Sequence, residues 1–457
     1  MALSIAAALA RIKRDPLGVI RPAVVRQLCA ELHHDDWRQR KLDPAVTLAL
    51  FVQQVVHGNT PCTQVRHLAG QSFTASAWCQ ARARLPLEVY QGMLTRVCDA
   101  ALPRTREPDH LWHGHRTFHV DGSTFSMPDT PELRRAFGQA GGQQAGCGFP
   151  VAHLLVLFNA ATGLLIDAFA SPLRTGDVAQ ANDYLAHLDG GEEGGDLLIG
   201  DDSFSGYAHI ALLLQRKLHA VVPNHHLRIV DFAPGRPHTK LSGKNVVAGR
   251  PRARWIRSLG KDDDQLVEWF KPKTCPAWMS RQQYDALPPS IVVREVRRRV
   301  RLPDGRRITV TVVTTLLDPL RYPADELVEL RLRRWDVETN LRHLKITLGL
   351  DVLHCKSEIG VRKELAVFCL VYNLVRVVML EAAERQHVPV SRISFADALR
   401  WMRHARPGDH LPDLVVNPSR ANRIEPRCRK RRPKQYDLMN KPRHVMRNAL
   451  KTRGRNV

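Results

Sequence analysis

Apolar residues recur three and four apart through the first hundred positions, and then the pattern switches to short continuous runs. PAVVRQLCAELHH, DPAVTLALFVQQVVHG and PLEVYQGMLTRVCDAAL carry the first pattern, with breaks at Gly58 and near Pro86. That spacing turns one helical face toward a core, so residues 1 to about 105 are expected to be helical. From about 110, RTFHVDGS reads as a strand ending in an Asp-Gly turn and HLLVLFNAATGLLIDAF as a hairpin around Asn159–Gly163. DLLIGDD and HAVVPN read as further buried strands, with NDYLAHLD and SGYAHIALLLQRK as helices between them. A hairpin followed by alternating strand and helix predicts an α/β fold, a mixed sheet with helices on its faces.

Residues 224–320 break that rhythm, being rich in Pro, Gly and Arg, and hold a second hairpin, SIVVREVRRRVRLPDGRRITVTVVTTL, turning at Pro303-Asp304-Gly305. After Pro323 the pattern is helical to about 385. ELAVFCLVYNLVRVVMLEA is nearly long enough to cross a membrane, but Asn373 and Arg376 within it favour a buried core helix. The division expected is therefore 1–105, helical; 106–223, the first part of an α/β core; 224–320, a mainly β insertion; 321–390, the helical completion of that core; and 391–457, a C-terminal region ending in a basic tail. No internal repeat is visible.

Charge sharpens the picture. The chain has 457 residues, 44% hydrophobic and 25% charged, with 68 Lys and Arg against 45 Asp and Glu for a net +23. It can bury several cores, and its excess of positive charge points to a polyanion, nucleic acid before anionic membrane. Residues 420–457 hold fourteen Lys or Arg against Glu425 and Asp437, a net +12. Such runs are expected to be disordered arms that grip phosphates without reading sequence. The nine cysteines are scattered and never in CxxC spacing, which argues against a disulfide framework and a zinc ribbon and predicts a reducing cytoplasm. IAAALA near the N-terminus is cut short by Arg11, Lys13 and Arg14 and reads as a short helix, not a signal peptide.

The candidate chemistry centres on Arg331–Lys345, RLRRWDVETNLRHLK. On one continuous helix Arg334, Glu338, Arg342 and Lys345 share a stripe, a carboxylate among three cations. Alone this is an ordinary solvated ion pair. Two further carboxylates, Asp121 in HVDGS and Asp201 in LIGDDSF, each follow an apolar strand, where a sheet end presents side chains to a crevice. Three carboxylates from separate elements suit two divalent ions acting on a phosphodiester. Arg334 and Lys345, with help from Arg342, would then hold substrate phosphates. Each piece also has a structural reading: Asp-Gly as a turn, Asp201 or Asp202 as a helix cap, and Asp262-Asp263-Asp264 as a solvated loop. His113, His115 and His119 read as strand-edge residues, and Arg82 and Arg84 lie on a segment suited either to DNA or to a plain bundle.

In order, DGS at 121–123, GDDSF at 200–204 and Arg334-x3-Glu338-x6-Lys345 resemble the DDE transposases of the insertion-sequence 4 type. Their signature adds a Tyr where this chain has Arg331, a residue that is not a metal ligand in the family. The resemblance covers roughly residues 40–385. It implies an RNase H-like core, with Asp121, Asp201 and Glu338 as catalytic metal ligands, Mg²⁺ as cofactor and Mn²⁺ tolerated. It further implies cleavage of double-stranded DNA at terminal inverted repeats, joining to target DNA, a homodimeric synaptic complex, and action at the bacterial nucleoid. Some relatives stack a flipped base on an insertion Trp, for which Trp255, Trp269 and Trp278 are the candidates against plain core roles.

Two other readings remain: an RNase H-like nuclease without strand transfer, and a catalytically inactive DNA-binding protein. The tail gives a test that is independent of all three. Deleting 420–457 should weaken DNA binding at every sequence and flatten its salt dependence in a filter-binding or anisotropy titration. An unchanged slope would mean that the tail binds something else.

Overall fold

The computed structural model describes residues 21–34, 41–69, 72–140, 147–191, 194–225, 228, 230–235, 253–260, 263–302, 305–404, 411–414 and 441–453. IAAALA, Asp262, Pro303, Asp304 and most of the basic tail lie outside them.

The N-terminal segment is helical, as its spacing predicts: α1 (Pro22–Glu31), α2 (Pro44–Val56), α3 (Val65–Ala69), α4 (Ala75–Arg84) and α5 (Leu87–Thr105). Asp43 and Thr74 begin α2 and α4 by accepting from Val46 N and Ala77 N, which satisfies amides the first turn leaves open. Arg82 of α4 does not face outward. It donates to Gln54 and to Cys355 Sγ and lies over the Phe51 ring, so of the two readings open for this segment the packing one holds for Arg82. Arg84 is exposed.

Next come β1 (Thr117–Ser126), α6 (Pro131–Phe137), β2 (Val151–Asn159), β3 (Leu165–Pro172), α7 (Ala181–Leu185), β4 (Leu197–Ile199), α8 (Tyr207–Gln215) and β5 (His219–Pro223). Their order across the sheet is β3-β2-β1-β4-β5, with β1, β4 and β5 parallel and β2 antiparallel to its neighbours. This is the RNase H-like arrangement. The strands of the insertion, β6 (Ala253–Ser258), β7 (Asp264–Phe270), β8 (Ser290–Arg301) and β9 (Arg307–Thr314), extend the same sheet, because β9 pairs with β5. A short helix, α9 (Arg281–Asp285), links β7 to β8.

The C-terminal helices are α10 (Ala324–Leu332), α11 (Trp335–Arg342), α12 (Glu358–Gln386), α13 (Phe395–His404) and α14 (Arg443–Arg453). Within Arg443–Arg453 the expectation of a disordered tail gives way to α14, since RHVMRNALKTR is built largely from good helix formers; the rest of that expectation falls outside the described residues. α12 is long and apolar enough to cross a membrane, yet its apolar window is 94% buried inside the fold. It packs against α2, α5, α13 and β3, and each buried Val, Leu, Phe or Met contributes roughly 1.5–3 kcal/mol. Its Asn373 accepts from Leu165 N and donates to Leu165 O, which pins the helix to β3.

Each face of the sheet has its own core. Leu154, Val156 and Phe158 point to the N-terminal helices and α12, while Val120, Leu155 and Leu157 point to α7, α8 and the insertion. A third cluster seats α10 on Ile199, Val221, Val296 and Val312.

The acidic run also differs from expectation. Asp264 opens β7, is buried, and accepts from Arg294 at 2.8 and 2.6 Å, while Arg294 Nη1 donates to Tyr322 O just before α10. The pair ties the insertion to the helical completion of the core. Arg294→Ala should therefore destabilise by about 3–5 kcal/mol, because it strands a buried carboxylate. Arg294→Met combined with Asp264→Leu should recover most of that loss. Urea denaturation of the two variants checks both values.

Candidate active site

Asp121 does not end a strand. β1 runs five residues beyond it, and Gly122 lies within the strand. The reason is steric: a Cβ on Gly122 would come within 2.1 Å of Asp177 Oδ1, so bare backbone is required there. Alternation along β1 puts His119, Asp121 and Ser123 on one face.

Asp201 follows β4, the parallel neighbour of β1. The pairing runs Thr117↔Leu197, Phe118↔Leu198 and His119↔Ile199, and the same offset carried two residues further sets Asp201 beside Asp121. Asp201 also begins a short 3₁₀ turn, accepting on Oδ1 from both Ser203 N and Ser203 Oγ. The capping reading and the site reading of this residue are therefore compatible, since Oδ2 makes no hydrogen bond among the described residues.

The segment that carries Glu338 is not the single helix expected. It tightens after α10, where Arg334 N donates to Arg331 O and Val337 N to Arg334 O, and loosens after α11 into a π turn, His343–Thr347, in which Leu348 N donates to His343 O. Arg334 and Glu338 keep their four-residue relation, but Lys345 leaves the stripe. Its Nζ donates to Ser123 Oγ at 3.1 Å and pairs with Asp351 at 3.2 Å. Lys345 thus lies beside β1, two residues along the site face from Asp121, and not above Glu338.

Arg334 joins the pieces. Its Nη1 reaches Asp121 Oδ2 at 3.3 Å and its Nη2 reaches Glu338 Oε1 at 3.0 Å. The Asp121 and Arg334 side chains are only 13% and 14% exposed, whereas Glu338 is 45% exposed and opens outward. Burial pushes Asp121 up to about 6; Arg334 pulls it down, and Asp201 and then Asp177 push it higher. Arg331, at the position of the signature Tyr, is brought down to about 10 by burial and by Arg334, against the pull of Asp201, Asp121 and Asp202. It is a second cation within the field of the carboxylates. Arg342 is exposed on α11.

Among the described residues no group of three or more His, Cys, Asp or Glu side chains is close enough to hold one ion. The carboxylates form two pairs instead: Asp121 with Asp201, and Asp121 with Glu338 across the Arg334 guanidinium. A hard divalent ion commonly takes one or two protein carboxylates and completes its shell with water and substrate phosphate. Paired oxygen donors fit that demand, and the guanidinium stands in as the cation between Asp121 and Glu338.

Other candidates divide. Trp269 is wholly buried and donates through Nε1 to Glu295, so it offers no face to a base. Trp255 and Trp278 are half-buried, the latter packed on the core that α8 shares with the insertion. The histidines are not strand-edge residues. His119 sits in a central strand, fully buried, with neither ring nitrogen hydrogen-bonded among the described residues, and burial takes it down to about 3. His115 is buried against Gly195 O and Tyr322, and His113 pairs with Glu326. Three polar residues around the carboxylates had drawn no attention in the sequence: His153, Asp177 and Asp351. None has a motif, and only the fold brings them close.

Known proteins resemble this chain in sequence. The family described as "Transposase DDE domain" matches residues 112–374. The transposase InsG for insertion sequence element IS4 of Escherichia coli (strain K12) is 25% identical, with 93% of this chain and 94% of that protein covered. The putative transposase InsZ of the same strain is 31% identical over 166 residues, 34% of this chain and 53% of that protein. A cryo-EM structure of the piggyBac transposase synaptic complex with hairpin DNA aligns over 86% of this chain and 80% of that one, at a TM-score of 0.42 and 8% identity. The chain belongs to the DDE-domain transposases of the insertion-sequence 4 family, enzymes of DNA transposition whose chemistry depends on divalent metal.

Proposed function

We propose that Asp121, Asp201 and Glu338 are the catalytic carboxylates of this transposase, and that they hold Mg²⁺ (Mn²⁺ also serving) to cut double-stranded DNA at terminal inverted repeats and join it to a target. The observation that carries this reading is that Asp121, within β1, and Asp201, just past the end of the parallel neighbour β4, lie within each other's electrostatic reach, with Glu338 linked to Asp121 through Arg334. When bound, two divalent ions activate the attacking oxygen and stabilise the leaving one. Asp121, common to both carboxylate pairs, orients the site from the rigid centre of the sheet. Glu338 closes it from the solvent side.

Arg334 neutralises Asp121 and Glu338 in the free protein. Substrate phosphate draws its fork away, because a guanidinium pairs with phosphate in the same bidentate geometry as with carboxylate. The carboxylate oxygens are then released where they are needed. Lys345, held by Ser123 and Asp351, supports the backbone on the far side of Asp121, and exposed Arg342 extends the cationic track. Trp255 and Trp278 remain the candidates for stacking an extruded base. We further propose that the enzyme works as a homodimer on paired ends, at the nucleoid of a bacterial cytoplasm.

Asp121→Ala, Asp201→Ala and Glu338→Ala should each reduce Mg²⁺-dependent nicking of the element's ends to background while leaving end binding intact. Nicking that survives in Asp201→Ala and is lost in Asp202→Ala would move the assignment by one residue. Arg334→Ala should cost roughly 10²–10³-fold in cleavage rate, the scale of losing one charge-stabilising donor, and Arg334→Lys should restore little of it. Single-turnover rates on end-containing duplexes measure both.

A further inference from the structure

Beneath Asp201 runs a chain of hydrogen bonds that neither the motifs nor the family reading includes. His153, on β2, is 8% exposed; its Nδ1 contacts Ser171 Oγ at 3.2 Å and its Nε2 contacts Asp177 Oδ1 at 2.6 Å. Asp177 Oδ2 accepts from Ser203 Oγ at 3.2 Å, and Ser203 Oγ lies 2.6 Å from Asp201 Oδ1. Asp177 is seated on the bare backbone of Gly122, the residue after Asp121 and the place where any Cβ would strike it. Its carboxylate therefore touches the machinery at two points, the backbone that carries Asp121 and the hydroxyl that orients Asp201. It lies on the sheet face opposite the Asp121 side chain, since His153 pairs with Thr124 across β1 and β2.

We propose that Asp177 is a positioning residue for Asp201, acting through Ser203 and itself fixed by His153. The proposal rests on the reading of Asp121, Asp201 and Glu338 as the ion-holding carboxylates. A carboxylate that binds a metal must present one oxygen in a set direction, and hydrogen bonds to its other oxygen supply that direction. Ser203 N and Oγ both engage Oδ1, which leaves Oδ2 turned toward the site. The Ser203 hydroxyl has one hydrogen and two carboxylates within reach, so it donates to one at a time. Asp177 gives it a second acceptor and keeps Ser203 in place whichever it serves. Asn at 177 can reproduce both contacts, accepting from His153 and donating to Ser203; Ala can reproduce neither.

The test is Mn²⁺ binding to the full chain without DNA, followed by electron paramagnetic resonance, for wild type, Asp177→Ala, Asp177→Asn, Ser203→Ala and Asp201→Ala, with thermal melting as the check on folding. Asp177→Ala and Ser203→Ala should each weaken Mn²⁺ binding about tenfold, and Asp177→Asn should return close to wild type. The Mg²⁺ concentration for half-maximal end nicking should move in parallel. Ser203 is exposed and small, so its variant reads out the relay even if Asp177→Ala folds poorly. Wild-type affinity in Ser203→Ala and in folded Asp177→Ala would overturn the proposal, as would an Asn variant as defective as the Ala. The underlying site reading fails separately, if wild type binds no Mn²⁺ or Asp201→Ala binds it undiminished.

Discussion

Burial of a carboxylate in a half-dry crevice, with other carboxylates repelling it, is the constraint around which this site is built. Asp121 is driven up to about 6 by burial, with Asp201 and Asp177 adding to the push. A set of acids like this is stable in the charged form only with compensating cations, since buried charge without a partner is costly. Arg334 provides one by bridging Asp121 and Glu338, and Arg331 provides a second at longer range. The two arginines lie on either side of the tightened turn between α10 and α11, which gathers their positive charge at the sheet end where the negative charge is concentrated.

The fold makes this concentration possible by keeping the carboxylates on separate rigid elements. β1 is central, paired on both sides and packed on both faces, so Asp121 has little freedom. β4 fixes Asp201 through parallel register. α12 anchors the helical completion of the core to β3 through Asn373 and buries most of its own length, which steadies the platform from which α11 reaches across β1. The insertion joins the same sheet through β9, and the Arg294–Asp264 pair ties it back to the segment before α10.

Much of this was legible in the residues because local patterns carried it. Three-to-four spacing marked α1, α2 and α5; the apolar runs marked β1, β2, β4 and β5; and Asn373 and Arg376 marked α12 as core. The trio proposed as catalytic, Asp121, Asp201 and Glu338, came from three short motifs taken in order. What could not be read depended on tertiary contact. The Asp-Gly of β1 looks like a turn, and only the presence of Asp177 above Gly122 explains why glycine is needed inside a strand. Nothing around Lys345 announces a π turn, so a straight-helix projection kept it on the Glu338 stripe, whereas it lies beside β1 against Ser123 and Asp351. Arg82 resembled a DNA contact until Phe51, Gln54 and Cys355 were found around it, and Trp269 and His119 are closed off by burial that a linear sequence does not display.

The substitution of Arg331 for the signature Tyr is best understood through the same charge balance. A tyrosine at this position would bring a hydroxyl near the site and no charge. The guanidinium brings a full positive charge close enough to be felt by Asp121, Asp201 and Asp202, and it pays with a proton affinity lowered by burial to about 10. At neutral pH it is still a cation, so the free protein has two positive charges facing its acids. Arg334 is therefore not the sole source of compensation. In the mechanism proposed above, with the Arg334 fork turned to a phosphate, Arg331 still offsets part of the repulsion that Arg334 leaves behind. The departure from the signature thus leaves the three carboxylates intact and changes how their charge is balanced before substrate arrives.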